Sequence, residues 1–281
     1  MSTLWCNGQW VEASSFPASP LDRGSILGLA LFETLLGAEG RAVFWQRHLA
    51  RLGAGCARFG WVSPQAEFAD LPEAMERLLH TGGYATGLAR IRLTVTAGTG
   101  MLTDLASGGN RLVWMAALPA APSPGSLAVN VAPWPRNERG ALAGLKCASY
   151  GENLVALDQA GRAGCDETLF FNTAGDLCEA ATANVFIVRE GILATPSLDS
   201  GCLAGITRGV VLELAARHGI PCEEATLRQA DLDSADEVFL TSATRGPVAV
   251  SRVCEGTLAP PQLGCRIRAL WEAEVRRKIL A

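Results

Sequence analysis

The sequence predicts an α+β protein of two domains. Short apolar runs of strand length are interleaved with longer segments of helical spacing, which is typical of α+β folds with mixed sheets. Residues 119–125 contain three prolines in seven residues and favour an extended connector. This connector would separate a first domain, residues 1–118, from a second domain, residues 126–281. Both lengths lie within the usual range for a domain.

The predicted first domain begins with a β-hairpin over residues 4–11, because Asn7-Gly8 is a preferred pair for a two-residue turn. Apolar residues at helical spacing then indicate three helices, and shorter apolar runs indicate two strands. The predicted helices span residues 25–36, 46–59 and 71–79, and the predicted strands span residues 89–96 and 111–118.

Strands and helices also alternate in the predicted second domain. A helix over residues 206–218 is clearly indicated, because its apolar residues repeat at helical spacing until Gly219 and Pro221 end it. The other predicted helices span residues 151–163 and 262–280. The predicted strands span residues 127–132, 167–172, 184–188, 192–194, 237–241 and 248–253.

The overall composition is that of an ordinary globular protein, with 49% hydrophobic and 19% charged residues in a chain of 281. The net charge of −4 argues against nucleic acid and anionic membranes as partners. Residues 1–11 lack the basic and apolar segments of a signal peptide. No apolar stretch approaches the ~20 residues that a bilayer-spanning helix needs.

The cysteines and histidines do not form a recognisable framework. The nine cysteines are odd in number, and none are spaced as Cys-x-x-Cys, which argues against a disulfide scaffold and a structural zinc site. The three histidines lie far apart, so no metal site is predicted. Scattered cysteines of this kind favour a cytoplasmic protein.

Lysine is rare in this chain: only Lys146 and Lys278 occur among 24 lysines and arginines. Lys278 lies in the charged last turn and is expected in solvent. Lys146 lies within residues 142–149, a small and mostly apolar run that is expected to be buried. Arginine cannot act as an amine nucleophile, whereas a desolvated lysine can lose its proton and attack a carbonyl. The alternative is a coding bias that left one stray lysine beside a carboxylate.

Three other features could bind an anion or a charged ring. Residues 205–208 open the predicted helix, and the N-terminus of a helix offers free N–H groups to a phosphate. Glu179 is expected to lie between two strands and is flanked by small residues, and a buried carboxylate needs a cationic or hydrogen-bonded partner. Arg51 lies on an apolar helix face and could supply a second cation. The alternatives are a helix start with nothing bound, an ordinary salt bridge, and an arginine that extends to solvent.

An amine, a phosphate cradle, a second cation and a buried carboxylate are what pyridoxal 5′-phosphate requires of a protein. With these features the chain resembles the fold-type IV pyridoxal-phosphate enzymes, the class IV aminotransferase family, over nearly its whole length. The motifs that carry the resemblance are Asp22-Arg23-Gly24 with Phe32-Glu33-Thr34-Leu35, His48-x-x-Arg51-Leu52, Lys146, Glu179 to Asn184, and Thr195-Pro196 with Gly201 to Arg208.

The resemblance implies a role for each matching residue. Lys146 would form the Schiff base with the cofactor and act as the catalytic residue, and Glu179 would meet the pyridine nitrogen. The remaining residues implied in cofactor binding are Arg51, Leu203, Ile206, Thr207 and Ala243. The family also implies a D-amino-acid aminotransferase-like fold, with a small N-terminal α/β domain and a larger C-terminal mixed-sheet domain. A homodimer that acts on a small amino-acid-like substrate is the expected assembly.

Within the family the chain is most similar to 4-amino-4-deoxychorismate lyase. Leu142-Ala143-Gly144-x-Lys146 and Ser242-Ala243-Thr244 follow the lyase pattern, since transaminases usually carry threonine at position 243. The expected reaction yields p-aminobenzoate and pyruvate, a step in folate precursor synthesis. The candidate ligands of the substrate carboxylates are Arg92, Arg136, Arg139 and Arg245, and the sequence does not choose among them.

Two other activities remain as alternatives. An aminotransferase for branched-chain or other apolar amino acids would share the proton abstraction and differ in the fate of the resulting anion. A cofactor-binding protein without turnover is disfavoured because Lys146 and Glu179 are both present. A D-amino-acid transaminase is disfavoured because residues 97–103 carry neither arginine nor histidine. The family's Phe-Gly-Asp-Gly stretch also reads Leu27-Gly28-Leu29-Ala30 here.

Overall fold

The computed structural model describes residues 3–105 and 110–280, and it divides into two compact units. Unit 1 comprises Met1–Pro122, Leu145–Tyr150 and Lys278–Ala281, and unit 2 comprises Ser123–Gly144 and Gly151–Arg277. The segment that carries Lys146 therefore belongs to unit 1, although it follows the proline-rich connector. Residues 1, 2, 106–109 and 281 of the predicted domains lie outside the described residues, and the predicted boundary at residues 119–125 stays a prediction.

Unit 1 contains one six-stranded antiparallel sheet with the strand order β2-β1-β6-β5-β3-β4. Its strands are β1 (Thr3–Cys6), β2 (Gln9–Glu12), β3 (Ala30–Ala38), β4 (Arg41–Ala42), β5 (Leu88–Thr96) and β6 (Val113–Pro119). Its helices are α1 (Arg23–Leu27), α2 (Trp45–Arg58), α3 (Pro64–Glu67) and α4 (Leu71–Thr81).

The core of unit 1 is formed where α2 and α4 pack on this sheet. Leu49 and Leu52 of α2 lie in one cluster with Met75 of α4 and with Leu35 and Ile91 of the sheet. Burying a leucine or methionine side chain stabilises the fold by roughly 1.5–3 kcal/mol. The apolar faces of both helices therefore fix them on the sheet, and α2 carries Arg51 with it.

The predicted helix over residues 25–36 is wrong. Only the short helix α1 forms there; Asp22 caps it through Gly24 N–H, and Gly28 ends it in the left-handed conformation at φ 66°. Residues 30–38 are the inner strand β3 instead, buried at eight of nine positions. A strand buried on both faces lacks the alternating pattern of a half-exposed strand, so its apolar run cannot be told from a helix by periodicity.

A buried arginine organises the loop that follows β5. Arg23 is 2% exposed and its guanidinium donates to four backbone carbonyls, those of Ala97, Gly98, Met101 and Asp104, at 2.5–3.1 Å. Backbone carbonyl groups need hydrogen-bond partners, and one guanidinium provides several. This loop lacks the arginine and histidine expected from the family pattern, and Arg23 gives it a defined backbone.

Unit 2 contains a nine-stranded mixed sheet with the path β12-β11-β10-β13-β14-β7-β8-β9, and β15 pairs with β14. Its strands are β7 (Leu127–Val131), β8 (Glu167–Phe171), β9 (Leu177–Ala180), β10 (Asn184–Arg189), β11 (Ile192–Pro196), β12 (Cys222–Ala225), β13 (Glu237–Ser242), β14 (Gly246–Val253) and β15 (Gly256–Thr257). Its helices are α5 (Gly151–Arg162), α6 (Ile206–Arg217), α7 (Gln229–Asp233) and α8 (Leu263–Leu280), the last of which ends in unit 1.

One side of the unit 2 sheet carries α6 and α8. Val211 and Ala215 of α6 and Ile267 of α8 lie in a buried cluster with Phe186 and Phe239 of the sheet. The two phenylalanine rings stack with centroids 5.0 Å apart. Their packing holds the first turn of α6 beside the ends of β10 and β13, where the candidate phosphate-binding residues lie.

The predicted α+β class with a mixed sheet in the second domain is confirmed, and so are the longer elements after residue 45. The short elements β4, β9, β12, β15, α3 and α7 were not predicted, because a few residues give little periodicity. Within the described residues, no helix is both long enough and apolar enough to cross a membrane.

Replacing Arg23 with methionine should lower the free energy of unfolding by roughly 3 kcal/mol or more, because the guanidinium loses its four hydrogen bonds to loop carbonyls. The exposed Arg90 on β5 provides the matched control, and R90M should change stability by less than about 0.5 kcal/mol. Urea unfolding followed by circular dichroism measures both variants. Equal stability of R23M and R90M would contradict the role assigned to Arg23.

Candidate active site

Lys146 is held in unit 1 by backbone pairing with the inner strand β3. Phe32 N–H donates to the Lys146 carbonyl at 3.0 Å, Ala148 N–H donates to the Ala30 carbonyl at 2.7 Å, and Leu31 forms a β-bridge with Cys147. These contacts place the lysine on the sheet although it is more than 100 residues from β3 in the sequence. Lys146 is half-buried rather than fully buried.

The side chain of Lys146 lies against an aromatic ring that it shares with an arginine. Lys146 Nζ is 4.6 Å from the centroid of the Phe32 ring, and the guanidinium carbon of Arg92 is 3.4 Å from the same centroid. Tyr150 packs edge-on against this ring at 5.8 Å. Of the four predicted substrate arginines, Arg92 is thus the one beside Lys146 in unit 1. Burial lowers the pKa of Arg92 to about 10, which leaves it charged at neutral pH.

Arg51 is bound by a buried carboxylate. Glu33 accepts from Arg51 Nε at 2.8 Å through Oε1 and from Arg51 Nη2 at 2.6 Å through Oε2. The second oxygen also lies 2.7 Å from His48 Nδ1. Glu33 and His48 are 0% and 2% exposed and the Arg51 side chain is 16% exposed, so this trio is a largely buried charge network on the face of β3 that packs against α2.

The trio carries one positive and one negative charge at neutral pH. Burial alone would raise the pKa of Glu33, but the charge and hydrogen bonds of Arg51, with a smaller contribution from His48, lower it to about 2. Burial lowers the pKa of His48, although the hydrogen bond to Glu33 opposes this effect. Glu33 is therefore ionised and His48 neutral, and His48 donates its Nδ1–H to the carboxylate.

Glu179 lies on β9 in unit 2, not between two strands as predicted. Its Oε2 accepts from Leu203 N–H at 2.9 Å, and its Oε1 is 4.0 Å from Arg136 Nε. The side chain is 16% exposed. Glu179 thus has a backbone donor on one oxygen and a cation near the other, and a carboxylate in this setting can accept a further hydrogen bond.

Arg136 is positioned by residues of α5 and by an aromatic ring. Its Nη1 donates to Glu152 at 2.9 Å and to Asn153 at 3.1 Å, and its guanidinium carbon is 4.1 Å from the Phe170 ring centroid. Within the described residues, its buried Nε and Nη2 have no hydrogen-bond partner. The predicted substrate ligand Arg136 therefore lies beside Glu179 and forms an ion pair with that carboxylate.

The first turn of α6 offers free backbone donors. Gly205 is the N-cap residue and no side chain caps the helix, so the N–H groups that follow, those of Ile206 and Thr207, lack an intrahelical acceptor. A Cβ at Gly205 would lie 1.9 Å from Asn184 Oδ1, and Asn184 Nδ2 donates to the Leu203 carbonyl at 2.8 Å. Glycine thereby lets Asn184 fix the loop at the helix start.

The other predicted residues of unit 2 lie in loops. Ala243 is in the turn between β13 and β14, and Arg245 of the same turn donates to Thr182 at 2.9 Å and to Glu167 at 3.4 Å. Glu167 is 1% exposed and also accepts from the Thr182 hydroxyl. Arg139 is 85% exposed and pairs with its neighbour Glu138 at 3.3 Å.

The residues that position the predicted ligands were not predicted from the sequence. Glu33 and His48 were named only as members of family motifs, without a role of their own. Asn184, Glu152 and Glu167 were assigned no partner. A glutamate within the apolar run 30–38 was the available signal for Glu33, since a carboxylate buried in a strand needs a cation. The helix predicted there concealed it.

Comparison with known proteins identifies the family of the chain. Residues 30–253 match the family model of the class IV aminotransferases. The chain is 29% identical over 272 residues to a putative branched-chain-amino-acid aminotransferase of Methanocaldococcus jannaschii, which covers 93% of this chain and 91% of that protein. It is 26% identical over 259 residues to the aminodeoxychorismate lyase of Bacillus subtilis, with coverages of 90% and 87%.

A solved structure shares the fold. The branched-chain aminotransferase of Thermoproteus uzoniensis, crystallised with norvaline, superposes with a TM-score of 0.91 at 23% identity, covering 99% of this chain and 95% of that chain. At this identity the likeness establishes the fold alone.

The residues in place also fit the family's cofactor, pyridoxal 5′-phosphate. Unit 1 has a half-buried lysine, and unit 2 has a carboxylate with a backbone donor and a helix start that a Cβ at Gly205 would obstruct. These are the kinds of group that this molecule needs. The chain belongs to the class IV aminotransferase family and is a pyridoxal-phosphate-dependent enzyme of fold type IV.

Proposed function

We propose that this protein is an aminotransferase for branched-chain or other apolar amino acids. Pyridoxal phosphate, when bound, supplies an electron sink that stabilises negative charge at the reacting carbon. The Lys146 amine would hold the cofactor covalently and, once displaced by the substrate amine, accept and return the proton as a general base. Its backbone pairing to β3 keeps the amine in place through both steps.

The other residues would orient the cofactor. Glu179 would accept a hydrogen bond from the protonated pyridine nitrogen, and Leu203 would pack against the ring face. The proposed phosphate ligands are Arg51, the N–H groups of Ile206 and Thr207 with the Thr207 hydroxyl, and the backbone of Ala243. Charge-assisted hydrogen bonds of this type are the stronger ones in proteins and suit a dianion.

The arginine pairing is the observation that carries the choice of an apolar amino acid. Aminodeoxychorismate is a dicarboxylate and needs two cations, whereas leucine or valine presents a single carboxylate. Three of the four candidate arginines contact carboxylates of their own unit: Arg136 contacts Glu152, Arg139 contacts Glu138, and Arg245 contacts Glu167. A carboxylate already lies beside each of these three arginines, which reduces the charge that they can offer to a second substrate carboxylate. Arg92 is then our proposed ligand for the one carboxylate.

The extended similarity to a putative branched-chain-amino-acid aminotransferase supports the same choice. Aminodeoxychorismate lyase, the activity expected first from the sequence, remains the second candidate. Ala243, at a position where transaminases usually carry threonine, and the Bacillus subtilis relative favour it. Both reactions use Lys146 and Glu179 in the same way and differ only in what happens after the proton is removed.

We also propose, as the family implies, that the protein is a homodimer.

A reducing compartment, and hence the cytoplasm, is supported by the nine cysteines, all of which lie in the described residues as free thiols. No part of the proposed chemistry uses them.

The Gly205→Ala variant should bind pyridoxal phosphate about tenfold more weakly, because its Cβ collides with Asn184 and displaces the donors at the start of α6. Gly209 in the same helix provides the matched control, since a Cβ there meets no atom within 4 Å. G209A should keep normal affinity and gain up to about 1 kcal/mol of stability. Fluorescence titration of the cofactor-free variants measures both. Wild-type affinity in G205A would remove this helix start from the phosphate site.

The proposed activity is tested by supplying two substrates to the loaded enzyme. Leucine or valine with 2-oxoglutarate should yield glutamate, and aminodeoxychorismate should yield little p-aminobenzoate. Liquid chromatography with mass detection follows both products. The Lys146→Arg variant, which keeps the charge and lacks a nucleophilic amine, should be inactive in both assays. Formation of p-aminobenzoate without amino transfer from leucine or valine would reject the aminotransferase in favour of the lyase.

A further inference from the structure

Burying the charged network around Arg51 costs more free energy in desolvation than an apolar core at the same position would. Glu33 lies on an inner strand whose neighbours on the same face are Leu31 and Leu35, both fully buried. Burying an ionised carboxylate in such a place costs several kcal/mol in desolvation, which its partners must offset. Replacing a buried ion pair with apolar residues of similar volume often leaves the stability of a protein unchanged or increases it. Stability therefore does not account for a glutamate at position 33.

The geometry of the contacts indicates what the glutamate does. A guanidinium is planar, so fixing Nε and Nη2 on the two oxygens of Glu33 fixes the plane and the direction of all five N–H groups of Arg51. His48 and Arg51 are three residues apart on α2 and reach the same carboxylate from one helix face. The His48 contact in turn prevents the carboxylate from rotating.

We propose that Glu33, held by His48, is a positioning residue that orients Arg51 for the cofactor phosphate. This inference rests on the proposed role of Arg51 as a phosphate ligand. Glu33 acts through Arg51, and its contribution lies in the order it imposes before the phosphate arrives. An arginine that is already oriented loses less side-chain entropy on binding than one that must first be immobilised.

The direction in which one substitution changes the affinity for pyridoxal phosphate distinguishes a positioning role of Glu33 from a purely electrostatic one. By charge alone, neutralising Glu33 would strengthen the binding of an anion near Arg51. If Glu33 orients Arg51, the same substitution weakens binding, because glutamine offers one acceptor oxygen where the carboxylate offers two. The Glu33→Gln variant should therefore raise the apparent Kd for pyridoxal phosphate by about tenfold. Its kcat at saturating cofactor should stay within about twofold of wild type, because Glu33 does not touch the reacting atoms.

The experiment is a titration of cofactor-free full-length protein with pyridoxal phosphate, followed by calorimetry, for E33Q, R51M and the double variant. R51M should weaken binding, E33Q should weaken it less, and the double variant should match R51M because Glu33 acts only through Arg51. The His48→Asn variant, which keeps an N–H donor, should bind nearly as wild type, whereas H48A should bind about threefold more weakly. E76Q, at the exposed Arg41–Glu76 pair, should not change the Kd and serves as the matched control.

Two different failures can be told apart. If R51M binds the cofactor as wild type does, the proposed phosphate role of Arg51 is wrong, and the inference about Glu33 is rejected with it. If R51M is weakened but E33Q binds normally or more tightly, the positioning role alone is rejected. Equal weakening by E33Q in the wild-type and R51M backgrounds also rejects it, because Glu33 would then act independently of Arg51. Should E33Q fail to fold, the comparison of H48N with H48A decides the question: equal affinities would overturn the proposal.

Discussion

The short backbone pairing between residues 146–148 and β3 is the interaction on which the proposed active-site chemistry depends. Two hydrogen bonds, Phe32 N–H to the Lys146 carbonyl and Ala148 N–H to the Ala30 carbonyl, attach the lysine segment to an inner strand of unit 1. Each contributes only about 1 kcal/mol to stability. Their effect is geometric, since they give a long and flexible side chain a fixed origin. A nucleophilic amine is useful only when its carbon stem starts from a rigid position.

The same strand presents different chemistry on its two faces. Consecutive residues of a strand point to opposite sides of the sheet, so Phe32 and Glu33 face in opposite directions. Phe32 meets Lys146 and Arg92, whereas Glu33 meets His48 and Arg51 of α2. One buried strand thereby supports both the proposed covalent residue and the proposed phosphate arginine. A shift of one residue in its register with β5 would exchange the two faces and remove both sets of contacts.

The sequence was most informative where a residue type is chemically irreplaceable. Lys146 is one of two lysines, and the start of α6 has a clear helical pattern, so both were predicted without coordinates. The strand β3 was mistaken for a helix because burial on both faces removes periodicity. The carboxylates with which the arginines pair could not be predicted from the sequence either. Pairs such as Arg245 with Glu167 join residues 78 positions apart, and no local pattern specifies such a contact.

The attachment of the cofactor to Lys146 is the central claim, and chemical reduction tests it most directly. The cofactor-loaded protein would be treated with sodium borohydride, digested, and mapped by mass spectrometry. We expect a pyridoxyl group on the peptide that contains Lys146, retained in K278R and absent in K146R, because Lys278 is the other lysine in the chain. A loaded protein with an unmodified Lys146, or with the group on Lys278, would contradict the account.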